Sequence, residues 1–225
     1  IDEAESLINK FSESIKNKGG HEEVLAIELE GRIDFAKNEY ISGLKKISQA
    51  ISLAKNYNLY NTAYDLSNSL GRDLFNQKKF SDAKIIFEDS YEIADFLGIQ
   101  QKCTAKLFIA ETLYALDDIE DFNDSLQLLE EVISISRNNN ISFILGEAFL
   151  LKSIILMHKK DYANVFSNIQ ISFQHFHEIF DFKSTLRNLL LLGDLAIFSK
   201  NVKYSEAFLE KYNYHKKNKE IPLNI

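Results

Sequence analysis

A pattern that returns about every 40 positions constrains this 225-residue chain more than any other feature. It emerges when YISGLKKISQAISLAKNYNL (40–59) is laid over FSDAKIIFEDSYEIADFLGI (80–99) and then over the stretches beginning at 122, 162 and 202. Tyr40, Phe80, Phe122, Tyr162 and Val202 share the first column, at spacings of 40, 42, 40 and 40. Three residues on stands a mostly small column, Gly43, Ala83, Ser125, Val165 and Ser205. Four further on stands a large apolar one, Ile47, Phe87, Leu129, Ile169 and Leu209, and three beyond it Ala50, Ser90, Val132, Ser172 and Tyr212. Steps of 3, 4 and 3 trace one face of an α-helix. A fixed period of this size marks a repeat architecture, in which each unit buries its apolar face against its neighbours.

A second helix is expected ahead of each of these. Its marker is another small column, Gly31, Gly71, Ala110, Ser153 and Gly193. Glycine inside a helix costs about 1 kcal/mol against alanine, so close approach of a neighbouring backbone is the expected reason for it. Short polar turns at 37–39, 77–79 and 159–161 join the two helices, and a longer one, DDIED at 117–121, accounts for the 42-residue step. Units end at Asn58-Leu59, Gly98-Ile99, Asn140-Ile141 and Asp181-Phe182. There a residue tolerant of left-handed φ precedes an apolar one, as in a Schellman helix stop. One proline and eight glycines supply too little turn chemistry for an all-β fold.

In the second unit the pattern reads LGRDLFNQKKFSDAKIIFEDSYEIAD (70–95). On these residues the chain resembles the tetratricopeptide repeat family, in the variant with units near 40 residues, over about 21–217. The tryptophan usual near the unit start and the proline usual at its end are both missing. The resemblance implies an all-α, right-handed superhelix of five hairpins whose first helices line a concave face. The units fall at 21–59, 60–99, 100–141, 142–182 and 183–218, with a tail at 219–225. Residues 4–19, shifted by 39, fall on 43–58. The opening helix, 1–19, is therefore expected either to cap the array or to be the second half of a further unit. Ile1 in place of methionine favours a piece of a longer protein. Lys211, Lys216, Lys217 and Lys219 suit a helix C-terminus, and Pro222 stops any continuation.

No catalytic constellation stands out, and no phosphate-binding loop or metalloprotease motif is present. His175 and His177, two apart, point to different faces of a helix; His21 and His215 carry no pattern. The acidic run at 115–125 lacks the glycine and final glutamate of a calcium loop. Cys103 has no histidine at a meaningful spacing. No enzyme activity, metal or cofactor is expected. With 26 basic and 33 acidic residues the net charge is −7, which argues against direct nucleic-acid contact. No apolar run approaches membrane-spanning length, and the single cysteine fits a reducing compartment, so the chain reads as cytoplasmic.

What remains is the face of the first helices. Opposite the packing columns stand Glu28, Arg32 and Phe35, then Asp65, Asn68, Arg72, Phe75 and Asn76, then Glu111 and Tyr114, then Glu147, Met157 and His158, then Arg187 and Asp194. The family's groove often holds extended peptides by such residues. An asparagine amide satisfies one backbone donor and one acceptor, and an arginine holds a carboxylate in a fork. The alternative is intramolecular pairing, Arg32 to Glu28 and Arg72 to Asp65 or Asn68. The expected function is a non-catalytic scaffold binding another protein or an extended peptide. The alternative is the peptide- or small-ligand-sensing domain of a bacterial or archaeal transcriptional regulator. Self-association through the solenoid ends is a further expectation.

Overall fold

The computed structural model describes residues 2–15, 19–116 and 119–217. These are all-α, with no strand among them. The helices are α1 (Asp2–Ile15), α2 (His21–Ala36), α3 (Tyr40–Asn56), α4 (Tyr60–Asn76), α5 (Phe80–Ile93), α6 (Ile99–Leu116), α7 (Ile119–Asn138), α8 (Ser142–His158), α9 (Tyr162–Glu178), α10 (Phe182–Ser199) and α11 (Val202–Lys217). A short 3-10 turn, Ala94–Phe96, follows α5. The chain forms two compact units, Ile1–Ala105 and Lys106–Ile225, the division falling inside α6. The tail at 219–225 and its Lys219 and Pro222, together with Asp117, Asp118 and Ile1, lie outside the described residues.

In the first unit each helix from α1 to α5 packs on the next. Ile47, Phe87 and Ala83 are buried, as the 3-4-3 pattern requires. The α2–α3 crossing is close because Gly31 faces Gly43. A Cβ on Gly43 would stand 2.8 Å from the Gly31 carbonyl oxygen, and one on Gly31 would stand 3.0 Å from the Ile47 side chain. Asp34 organises the turn below this crossing. Its carbonyl accepts from the Glu39 N–H at 2.8 Å, and its carboxylate accepts from Ser42 Oγ at 2.5 Å and pairs with Lys46 Nζ at 2.9 Å. The Ser42 hydrogen bond holds the Asp34 carboxyl below its ordinary value. Burial opposes this, and Lys46 adds to it. Asp34 therefore stabilises the fold above the unfolded carboxyl value, about 3.9, and that contribution disappears as pH falls through the lower folded value. Asp34→Asn is expected to cost about 1 kcal/mol at neutral pH and to flatten the acid limb of the stability–pH curve. Urea unfolding between pH 2 and 7 checks this; parallel curves would refute it.

In the second unit α7 to α11 pack in sequence, and α8 also touches α10. The α6–α7 pair is tied by Ser125 Oγ, which donates to the Ala110 carbonyl at 2.6 Å, and by the Lys106–Glu131 ion pair. Leu129, Val132, Val165 and Ile169 are buried. The expected DDIED loop is shorter than the sequence suggested. Ile119, Glu120 and Asp121 already belong to α7, where negative charge in a first turn is favoured by the helix dipole.

Two further expectations are corrected. At the fourth unit end the left-handed residue is Phe180 (φ 58), not Asp181. Asp181 instead caps α10, accepting from the Ser184 N–H at 3.1 Å. In α11 the inward face is one residue out of phase. Val202 and Leu209 are 70% and 53% exposed, whereas Tyr204 and His215 are buried and Phe208 packs on Gly193. The preceding turn explains the shift. In the regular turns the N–H after the left-handed residue donates five residues back, as Lys79 does to Leu74 at 2.9 Å and Asp161 to Leu156 at 3.1 Å. Before α11 the Asn201 N–H turns instead to Ser199 Oγ at 3.3 Å. The helix then enters rotated by about 100°, one residue's worth. His215, which carried no sequence pattern, is thereby packed against Phe173, His177 and Tyr214.

Candidate functional site

The first helices α2, α4, α6, α8 and α10 carry every residue expected to face a groove, and the structure sorts these into three groups.

The first group packs inward. Phe35 lies against Tyr40 and over Gly43, inside the α2–α3 hairpin. Asn68 Oδ1 accepts from Ser90 Oγ of α5 at 2.9 Å. The Arg72 guanidinium sits 5.9 Å from the ring centroids of both Phe75 and Phe87, and Phe75 meets Phe80 edge-on. The Asn68–Arg72 patch is thus turned toward its own partner helix rather than presented outward. The aliphatic and aromatic neighbours of Arg72 draw its stem and guanidinium plane onto the hairpin, as long cationic side chains do over apolar surface.

The second group ties neighbouring first helices together. Arg32 pairs with Glu28 at 2.8 Å and also donates to Ser69 Oγ of α4 at 3.3 Å. Tyr114 Oη of α6 and His158 Nε2 of α8 share a hydrogen bond of 2.9 Å, with Phe122 packed beside both rings. Arg187 of α10 donates to Glu147 of α8 at 2.6 and 2.9 Å, and Ser184 donates to the same carboxylate at 3.1 Å. The Arg32–Glu28 pairing weighed as an alternative is therefore present, and it extends across helices. Glu111 is half-buried on α6.

The third group is exposed: Asp65, Asn76 and Asp194. Of these, Asp194 borders a cleft. It lies in the second unit, between the C-terminal turns of α8 and α10, with a volume of about 400 Å³. Ile154, Met157 and His158 of α8 form one wall, Leu191, Asp194 and Phe198 of α10 the other, and Lys160 and Tyr162 close the end. Beneath it Met157, Tyr162 and Leu191 rest on the core of Val165, Ile169, Leu192, Leu195 and Tyr204. Phe198 is 63% exposed, an apolar ring held at the rim. Asp194 and Lys160 stand exposed beside it, neither in an ion pair among the described residues. Ile154, Lys160, Tyr162, Leu191 and Phe198 were missed by the sequence reading. The spacing 191, 194, 198 is itself an i, i+3, i+7 stripe, and applying that period to the outer face of α10 would have found it.

Cys103 is buried, and among the described residues no three histidine, cysteine or acidic side chains converge as metal ligands. His175 is half-buried and His177 exposed, in keeping with their two-residue spacing. No helix among the described residues is long and apolar enough to cross a membrane.

No family model and no curated protein matches the chain. Among solved structures it is similar to BtubC (BKLC) from P. vanneervenii, with a TM-score of 0.68 and 10% identity over 100% of this chain and 90% of that one. At this identity the likeness shows a shared all-α fold.

Proposed function

We propose that this chain is a cytoplasmic repeat protein of the tetratricopeptide type that binds another polypeptide on the face of its first helices and does no chemistry. The observation that carries the reading is the α8–α10 cleft, where an apolar trough lies open beside the charges of Asp194 and Lys160. An extended peptide has this form: an apolar side chain to fill the trough, and charged or polar groups on either side of it. The occupant is a peptide with one aliphatic or aromatic anchor followed closely by a basic residue, which pairs with Asp194. Burial of the anchor supplies about 1.5–3 kcal/mol, and the rim pair sets register more than affinity.

A phage-displayed peptide library selected on the chain is expected to enrich that pattern. The Asp194→Ala/Phe198→Asp double variant changes only exposed side chains, so its helical circular dichroism should be unaltered. It is expected to bind the enriched peptide at least about tenfold more weakly, a loss of about 1.4 kcal/mol. Unchanged affinity, or a library without enrichment, refutes the reading. The cleft volume of about 400 Å³ also lies in the range of small-ligand pockets, roughly 300–1,000 Å³. This favours, as a second reading, a sensing domain for a small ligand or short signalling peptide.

A further inference from the structure

A second cleft, of about 500 Å³, opens between α9 and α11, on second helices rather than first. Its walls are aromatic: Phe173 and His177 from α9, Tyr214 and His215 from α11. The rings meet at 5.1–6.3 Å between centroids, mostly edge to face. Into this setting projects Lys211, its Nζ 4.1 Å from the centroid of Phe173.

We propose that this cleft binds a small planar aromatic molecule bearing one anionic group, a carboxylate or a phosphate, with Lys211 as its counter-charge.

Three observations carry the assignment. Lys211 is half-buried, and among the described residues no carboxylate pairs with its ammonium group. A cation drawn out of water costs free energy unless paired, and a phenyl face replaces only part of the lost hydration. Burial accordingly pushes the Lys211 amine below the ordinary lysine value, with Glu210 pulling weakly the other way. An anion arriving beside it relieves that cost, whereas a neutral ligand does not. The accessible rings of His177 and Tyr214, backed by the buried Phe173 and His215, select the body of the ligand, since aromatic rings favour offset or edge-to-face partners. The volume admits one or two fused rings with a substituent. Glu210 lines the same cleft and disfavours ligands of higher negative charge.

The probes are 1-naphthoate, 1-naphthyl phosphate and neutral 1-naphthamide, titrated into the intact chain and followed by amide chemical shifts. At least one anion is expected to bind, with shifts centred on 170–177 and 210–215, and the amide at least about tenfold more weakly. Comparing the two anions identifies the headgroup. Lys211→Met keeps the stem over Phe173 and removes the charge. It is expected to weaken the anion about tenfold or more while leaving the amide unchanged; Lys211→Arg is expected to retain binding. Because the charge it removes is poorly hydrated, Lys211→Met should fold at least as stably as the parent at neutral pH. Equal affinity for the amide, unchanged affinity in Lys211→Met, or no binding by either anion overturns the proposal. The Asp194→Ala/Phe198→Asp variant should bind the anion as the parent does, which separates this site from the α8–α10 cleft.

Discussion

Phe87→Ala is expected to destabilise the first unit by about 3–5 kcal/mol, the usual cost of deleting a fully buried phenyl ring. The ring is wholly inaccessible and lies across Gly71, where a Cβ would stand 2.5 Å from Cε1 and 2.8 Å from Cδ1 and Cζ. The same contact makes Gly71→Ala unfavourable despite alanine's better helix propensity. Overpacking costs roughly 1–3 kcal/mol, against a gain of about 1 kcal/mol. The two positions are therefore coupled. In Gly71→Ala/Phe87→Leu the smaller side chain makes room for the new methyl, so the double change should cost less than the sum of its parts by about 1 kcal/mol. A urea-unfolding cycle of the four proteins tests this. Additive energies would mean that the α4–α5 crossing does not depend on the glycine.

The largest electrostatic effect is expected at Asn188, which is completely buried. Its Nδ2 donates to Ser172 Oγ at 2.9 Å and to the Ser184 carbonyl at 3.3 Å, and Ser172 Oγ donates onward to the Gly146 carbonyl at 2.7 Å. One polar chain thus runs from α10 through α9 to α8. Asn188→Asp removes both donations and sets a carboxylate against a carbonyl oxygen, without a counter-charge. The expected loss at neutral pH is about 3–5 kcal/mol. Burial raises the folded carboxyl value above the unfolded one, so the part of the loss that comes from ionisation is absent below about pH 3.9. It then grows by about 1.4 kcal/mol per pH unit until the folded value is reached. This is the reverse of the Asp34 limb. Asn188→Leu also deletes Oδ1, which has no hydrogen-bond partner, and should cost about 1 kcal/mol. If Asn188→Asp were no worse than Asn188→Leu at neutral pH, the burial of this chain of bonds would be refuted.

The fold was legible because burial and periodicity report the same thing. Ile47, Phe87, Leu129 and Ile169 recur at one helical phase, and a residue at that phase has nowhere to go but the interior. The departures arise where a local bond competes with the period. At 199–201 a serine hydroxyl takes the N–H that the other turns send to the backbone, and α11 rotates away from the column that Leu209 occupies. The outer face was less legible. Position on a helix sets Asn68, Arg72 and Phe35 opposite the packing stripe, but it does not say toward which side a long or planar side chain will lean. Each leans onto its own hairpin, where rings and a serine hydroxyl are within reach. The trough between α8 and α10 depends on two helices 40 residues apart, and no single-helix pattern reports the space between them.

The turns have one more consequence. Asn38, Asn58, Lys78, Asn140, Lys160, Phe180 and Lys200 hold left-handed backbone without being glycine, each against a preference of about 1–2 kcal/mol. All seven are exposed, and none lies on the apolar stripes by which helices recognise each other. Heat tolerance and ligand choice are consequently encoded at separate addresses. The chain can become more or less rugged by exchanges at its corners while the surfaces that select a partner stay unaltered, Lys160 being the one corner that serves both.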